Sequence, residues 1–310
     1  MRHRPTDWVM LLALTAMWGT AFLLTKVAVT ALPPDWVVFG RLAIASVLLL
    51  PAALWWAQTG RGGARLWVFL VLIALFGNAL PFSLITWGQQ RIDSGLAGIL
   101  MAVMPLFTLG LAHFFVPNER LTRYRVGGFA LGFAGIVVLT GPEALTRSTG
   151  RSAELLAMLA VLGGAVCYAV SAILSRLRPA SEAVHAAAAT TALATLMMLP
   201  LTRFDAALAG ADLPLDAVLA VAALGVFSTA VAAVVYFRLI HSAGPSFVSQ
   251  LNYLIPLWAV ALGIAFLGER PQPNHLYALG LILSGILLTH FESRVTPTPI
   301  DPTRERRDAD

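Results

Sequence analysis

Ten runs of roughly twenty apolar residues follow one another along this chain, each about the length that crosses a hydrocarbon slab of ~30 Å at 1.5 Å per residue. They cover residues 8–30, 36–57, 67–88, 95–116, 124–140, 154–175, 184–201, 216–240, 246–267 and 274–291. Of the 310 residues, 58% are hydrophobic and 12% charged, with a mean hydropathy of +0.78, so a water-soluble fold of this size could not bury its apolar surface. The predicted fold class is an all-α polytopic membrane protein with ten transmembrane helices.

The connections are short and rich in turn residues, as in Leu32-Pro33-Pro34-Asp35, and leave no room for a soluble domain. Residues 1–7 form a short N-terminus, and the Pro- and Arg-rich residues 292–310 read as a disordered tail. The first apolar run is too long for a signal peptide and leads straight into another span. The lone Cys167 excludes an intramolecular disulfide, and no metal-ligand spacing or cofactor motif is present. Arginine outnumbers lysine twenty to one, a composition of GC-rich bacterial genomes. With both termini placed in the cytoplasm, thirteen arginines fall on inner segments and five on outer ones, the positive-inside bias of a bacterial inner-membrane protein. The basic balance is thus topological and excludes nucleic acid as a partner, leaving membrane lipids and a small solute; a monomer is compatible with the pattern.

The stretch Met104–Arg120 reappears as Ile255–Arg270, each opening on proline and closing on Glu-Arg. Aligning Pro105 with Pro256 extends the match back to Phe76 and Phe227 and forward to Glu119 and Glu269, with Gly135 and Gly285 beyond. The chain therefore reads as a five-helix unit over 8–141, a connecting loop over 142–153 and a second five-helix unit over 154–291. Because five is odd, the copies lie inverted about an axis in the bilayer plane, the construction of carriers that open alternately to either side.

Trp18-Gly19-Thr20, Phe39-Gly40-Arg41-Leu42-Ala43 and the Pro-to-Gly-Glu-Arg pattern resemble the EamA-type members of the drug/metabolite transporter superfamily. Within it the chain looks most like the YddG-type exporters, a resemblance that implies export of aromatic and other amino acids. The second repeat departs in having Thr190 or Thr191 where Arg41 would stand.

A midplane site should show as polar, aromatic or helix-breaking residues on one face of apolar helices. Asn78, Phe82, Thr86 and Gln89 form such a stripe in the third span, and Ser249, Gln250, Asn252 and Tyr253 gather in the ninth. Trp18 and Phe22 in the first, Met101 in the fourth and Tyr168 and Ser171 in the sixth complete the expected cavity. Ser171 and Gly98 equally suit close helix packing, and the amides equally suit interhelical hydrogen bonds. Pro81, Pro105 and Pro256 each remove a backbone hydrogen bond and are candidate hinges. Glu119 and Glu269 precede candidate N-caps Thr122 and Asn274, where each would anchor the corner into the next helix.

All sixteen acidic residues fit in termini or loops, so no intramembrane carboxylate stands ready to carry a coupling ion, and facilitative or exchange transport is expected. Lys26 and Arg41 lie near span ends, either snorkelling to headgroups or drawing in a substrate carboxylate. An aromatic, nearly uncharged cavity suits zwitterions with apolar side chains; organic cations, as in a multidrug exporter, are the alternative substrates, and a channel is a further one. No protease or hydrolase motif is present, so an enzyme is not expected.

Overall fold

The structure, a computed structural model, describes residues 4–58, 63–116, 122–140, 150–179, 181–204 and 213–295. Among them stand ten helical rods, each a packed, self-bonded answer to an apolar run. The first five are α1 (Pro5–Val29), α2 (Pro34–Gln58), α3 (Ala64–Gln89), α4 (Ser94–Phe115) and α5 (Arg123–Thr140). The second five are α6 (Gly150–Leu177), α7 (Ala183–Met198), α8 (Leu215–Ala243), α9 (245–267) and α10 (Pro273–Val295). Glu119, residues 142–149 of the connecting loop and the tail from 296 lie outside the described residues. Six rods are long and apolar enough to span on their own. The 16 residues of α7 make a helix of only about 24 Å, which the turn at Leu199–Thr202 lengthens. Outward faces are apolar, with Phe266 72% and Phe114 76% exposed, as a lipid-facing surface requires.

Lipid supplies no hydrophobic force between helices, so close packing has to hold the rods together. The tightest seam joins α5 to α10 and is built on glycine. A Cβ on Gly285 would lie 2.5 Å from the Gly128 carbonyl oxygen, and one on Gly135 would lie 3.0 Å from that of Ala278. Gly135 and Gly285 are repeat mates, and the same step of 150 carries Gly128 to Ala278, so the two contacts are one contact seen twice about a two-fold axis. The other packing partners obey the same rule: α1 meets α9 as α6 meets α4, and α2 meets α8 as α7 meets α3. Substituting Gly285 by alanine forces a methyl group against backbone rather than a yielding side chain. An expected loss of about 1–3 kcal/mol follows, readable as a lower unfolding midpoint in detergent.

Four rods depart from a regular α-helix, and the departures also pair. In α3, residues Leu75–Ala79 widen into a π turn, and in α8 residues Leu224–Val231 do the same. The repeat step of 151 carries 75–79 onto 226–230, so both copies widen at the same place. Pro81 follows the first, but Ala232 stands at its mate, so proline alone does not cause the widening. Instead, Thr229 Oγ1 donates 2.9 Å to the Leu224 carbonyl five residues back, stapling the wider turn in α8. Rod α4 breaks at Ala102–Val103, just before Pro105, whose missing N–H releases the Met101 carbonyl. Rod α9 breaks one turn earlier in the repeat frame, at Ser249–Gln250, and carries Pro256 inside its longer part, Leu251–Leu267.

Candidate functional site

The predicted aromatic residues converge on the junctions between rods. Phe22 of α1, Met101 of α4, Tyr168 of α6 and Tyr253 of α9 pack, half-buried, against one apolar cluster. Tyr168 also joins a second cluster with Phe82 of α3, the two rings 6.4 Å apart and edge to face. Trp18 lies elsewhere: its ring is 5.3 Å from Tyr236 of α8, in a cluster with Leu251 and Leu254. The structure thus gives each member of the repeat pair Trp18 and Tyr168 an aromatic partner from a different rod. Trp8, Trp67 and Trp87 are exposed near rod ends, the placement of an interfacial belt.

The polar residues divide into two groups. Ser171 is used in packing: a Cβ on Gly77 would lie 2.5 Å from its hydroxyl, so α3 and α6 touch there. Gly98 likewise faces Ala259, where α4 crosses α9. Thr86 is only 1% exposed and Phe82 9%, whereas Asn78 is half-buried. Asn78 lies within the π turn at Leu75–Ala79, whereas Phe82, Thr86 and Gln89 lie on the regular helix that follows it. Asn78, Gln250 and Asn252 are half-buried, and among the described residues none of their side chains makes a protein hydrogen bond. The interhelical bonds that would explain three such amides as packing are not made. Ser249 and Gln250 form the break in α9, where backbone groups leave the helical ladder.

At the end of the bundle where α1 and α3 finish, charges meet helix termini. Lys26 Nζ donates to the carbonyls of Gln89 at 2.9 Å and Ile92 at 2.8 Å, the negative end of α3. The lysine therefore does not snorkel outward, and two of its donors are committed to structure. Gln89 Nε2 returns a bond of 2.9 Å to the Phe22 carbonyl, tying α3 to α1. Glu269 does not turn into the α10 corner as predicted from Asn274. Its Oε1 accepts from Ser94 N at 2.7 Å and its Oε2 from Gly95 N at 2.9 Å, capping α4 in the other repeat. Gly268 makes this reach available: its φ of +65° turns the chain back at the end of α9, a conformation costly for other residues. Gly263 lies directly beneath the carboxylate, where a Cβ would collide with Oε2.

Arg41 also departs from the snorkelling expectation. It is 94% buried, seven residues into α2, with its guanidinium carbon 3.8 Å from the centre of the Phe82 ring. Nη2 donates 3.2 Å to Thr229 Oγ1 in the π turn of α8, and Nε is buried with no protein partner. The repeat mates Thr190 and Thr191 turn their hydroxyls onto their own helix, both to the Ala187 carbonyl, so the cation is on one side of the two-fold only. Sequence reasoning missed Thr229 and Tyr236. A signal for Thr229 was present, because the step of 151 that pairs the prolines carries Asn78 onto it.

Comparisons with known proteins agree with this architecture. Residues 7–141 and 155–291 each match the model of the EamA-like transporter family. The uncharacterized transporter YoaV of Bacillus subtilis is 26% identical over 91% of this chain and 95% of its own length. A probable terminal-alkyne amino-acid exporter of Streptantibioticus cattleyicolor is 28% identical over 93% of this chain and 94% of its own. The uncharacterized inner membrane transporter YedA of Escherichia coli K12 is 28% identical over 93% and 91%. A solved crystal structure shares the fold, with a TM-score of 0.60 at 21% identity over 94% of this chain and 99% of that one. With ten apolar rods in two reciprocal halves and a family match to each half, the chain belongs to the EamA-like transporter family and is a membrane transporter.

Proposed function

We propose that this transporter exports amino acids, aromatic or large apolar ones first, by alternating access through the region bounded by α1, α3, α4, α6 and α9. The observation that carries this reading is the set of half-buried amides on Asn78 of α3 and Gln250 and Asn252 of α9, without protein partners among the described residues, on rods that also contribute Phe82 and Tyr253. Free amide donors and acceptors beside aromatic faces match a zwitterion with an apolar side chain. The cytoplasmic membrane of a bacterium, with both termini inside, is the setting that the arginine distribution supports. A relative named as an amino-acid exporter points the same way. Buried Arg41 works against the organic-cation alternative, because a fixed positive charge inside the bundle repels such a substrate.

Transport is facilitative or by exchange in this reading. Every described acidic residue falls near a rod end, as Asp7, Asp35, Asp216 and Glu269 illustrate, which leaves the middle of the rods without a carboxylate for a coupling ion. Counterflow of labelled phenylalanine, leucine and lysine into proteoliposomes tests both parts. Saturable phenylalanine exchange, indifferent to imposed pH or sodium gradients, is expected; uphill accumulation driven by either gradient would contradict the coupling claim, and absence of amino-acid exchange the substrate claim.

A further inference from the structure

We propose that Arg41, held by Thr229 and backed by the Phe82 ring, is a one-sided seat for the carboxylate of the transported solute. The inference rests on the amino-acid reading only for the identity of the solute; the seat itself follows from the state of the guanidinium.

Arg41 is 94% buried, and among the described residues it has no ion pair. A buried cation without a counter-charge is among the most expensive groups a protein can carry, so its retention at this depth calls for a partner that comes and goes. The surroundings are built to hold the group still while leaving it unneutralised. Phe82 stacks on its face at 3.8 Å, a neutral support. Thr229 spends its only proton on the Leu224 carbonyl, which leaves its oxygen to accept from Nη2 and fixes the rotation of the guanidinium plane. Nε remains buried and unpartnered, so a donor of the guanidinium fork is unclaimed. Of charged ligands, an arginine in this state recognises a planar carboxylate best, by paired hydrogen bonds.

The seat is also polar in direction. Arg41 occupies the first repeat alone, and the hydroxyls of Thr190 and Thr191 on the other side are bonded to their own helix. The solute is therefore oriented, its carboxylate toward α2 and α8 and its apolar part toward the aromatic rings of α3 and α6.

Thermal unfolding of the purified full chain in detergent, titrated with phenylacetate or 2-phenylacetamide, tests the seat without requiring transport. Phenylacetate is expected to raise the unfolding temperature in a saturable way, with the amide inert. Apparent affinity for phenylacetate should fall about 10- to 100-fold in Arg41→Met, and by less in Arg41→Lys, which keeps the charge but loses the fork. Thr229→Val, which leaves the charge in place, should weaken phenylacetate binding as well. Equal responses to acid and amide, no response to the acid, or an unchanged affinity in Arg41→Met would each overturn the proposal. Phenylalanine counterflow separates the two claims: discrimination between acid and amide without amino-acid exchange would keep the seat and remove the substrate, whereas exchange undiminished in Arg41→Met would do the reverse.

Discussion

Replacing Glu269 by alanine is expected to open the bundle at the end where Lys26 and Ser94 lie. The carboxylate accepts two charge-assisted bonds from the first N–H groups of α4, and it is the described link by which a corner of the second repeat holds a helix start of the first. Losing it costs that closed end about 3 kcal/mol, enough to shift its population relative to an open form about 100-fold. A cysteine introduced at Ile99, fully buried just over a turn below Gly95, reads the change when Cys167 is replaced by serine. Its reaction with a membrane-impermeant thiol reagent should accelerate in the alanine variant and return toward the parent rate with glutamine at 269. An unaccelerated reaction would mean that packing between α4 and α9, such as Gly98 on Ala259, closes this end without the carboxylate.

The second large effect concerns stability. Arg41→Met should unfold later than the parent, because methionine fills a similar volume without a buried charge. The guanidinium recovers about 1–2 kcal/mol from Phe82 and Thr229, against a desolvation penalty of several kcal/mol. Thr229 keeps its bond to the Leu224 carbonyl in the variant, so no new unsatisfied group is created. A net gain of about 1–4 kcal/mol is expected, measured as a shift of the denaturant midpoint in one detergent. A midpoint below that of the parent would show that the arginine is already compensated where it lies. A midpoint above that of the parent is the stability cost expected of a residue that serves the carboxylate seat proposed above.

Much of the architecture was legible in the sequence because lipid imposes it: rod length follows from hydrocarbon thickness, and the repeat fixes which contacts must come in pairs. The glycine pair Gly135 and Gly285, an echo of the repeat in the sequence, lies in the α5–α10 seam. The site was less legible, for two physical reasons. A 3.6-residue period assumes an unbroken α-helix, but Asn78 lies in a π turn of α3, and nothing in apolar composition marks such a turn. Long-range capping was equally hidden. Glu269 reaches a helix start 175 residues earlier in the chain, while its local sequence offered the nearer helix start with Asn274 as candidate N-cap. Arg41 misled for a related reason: proximity to a span end suggested a route to water, but only three-dimensional packing decides whether a long side chain points outward or inward.

The paired π turns of α3 and α8 have a mechanical consequence. A wide turn holds one surplus residue, and that surplus can slide along the rod by trading one backbone bond for the next, without the rod ever being severed. Each step re-aims the residue it passes by about 100° while the portions before and beyond stay as they were. Matching slack in both halves gives α3 and α8 the same means of re-aiming a few side chains without moving the ends of either rod.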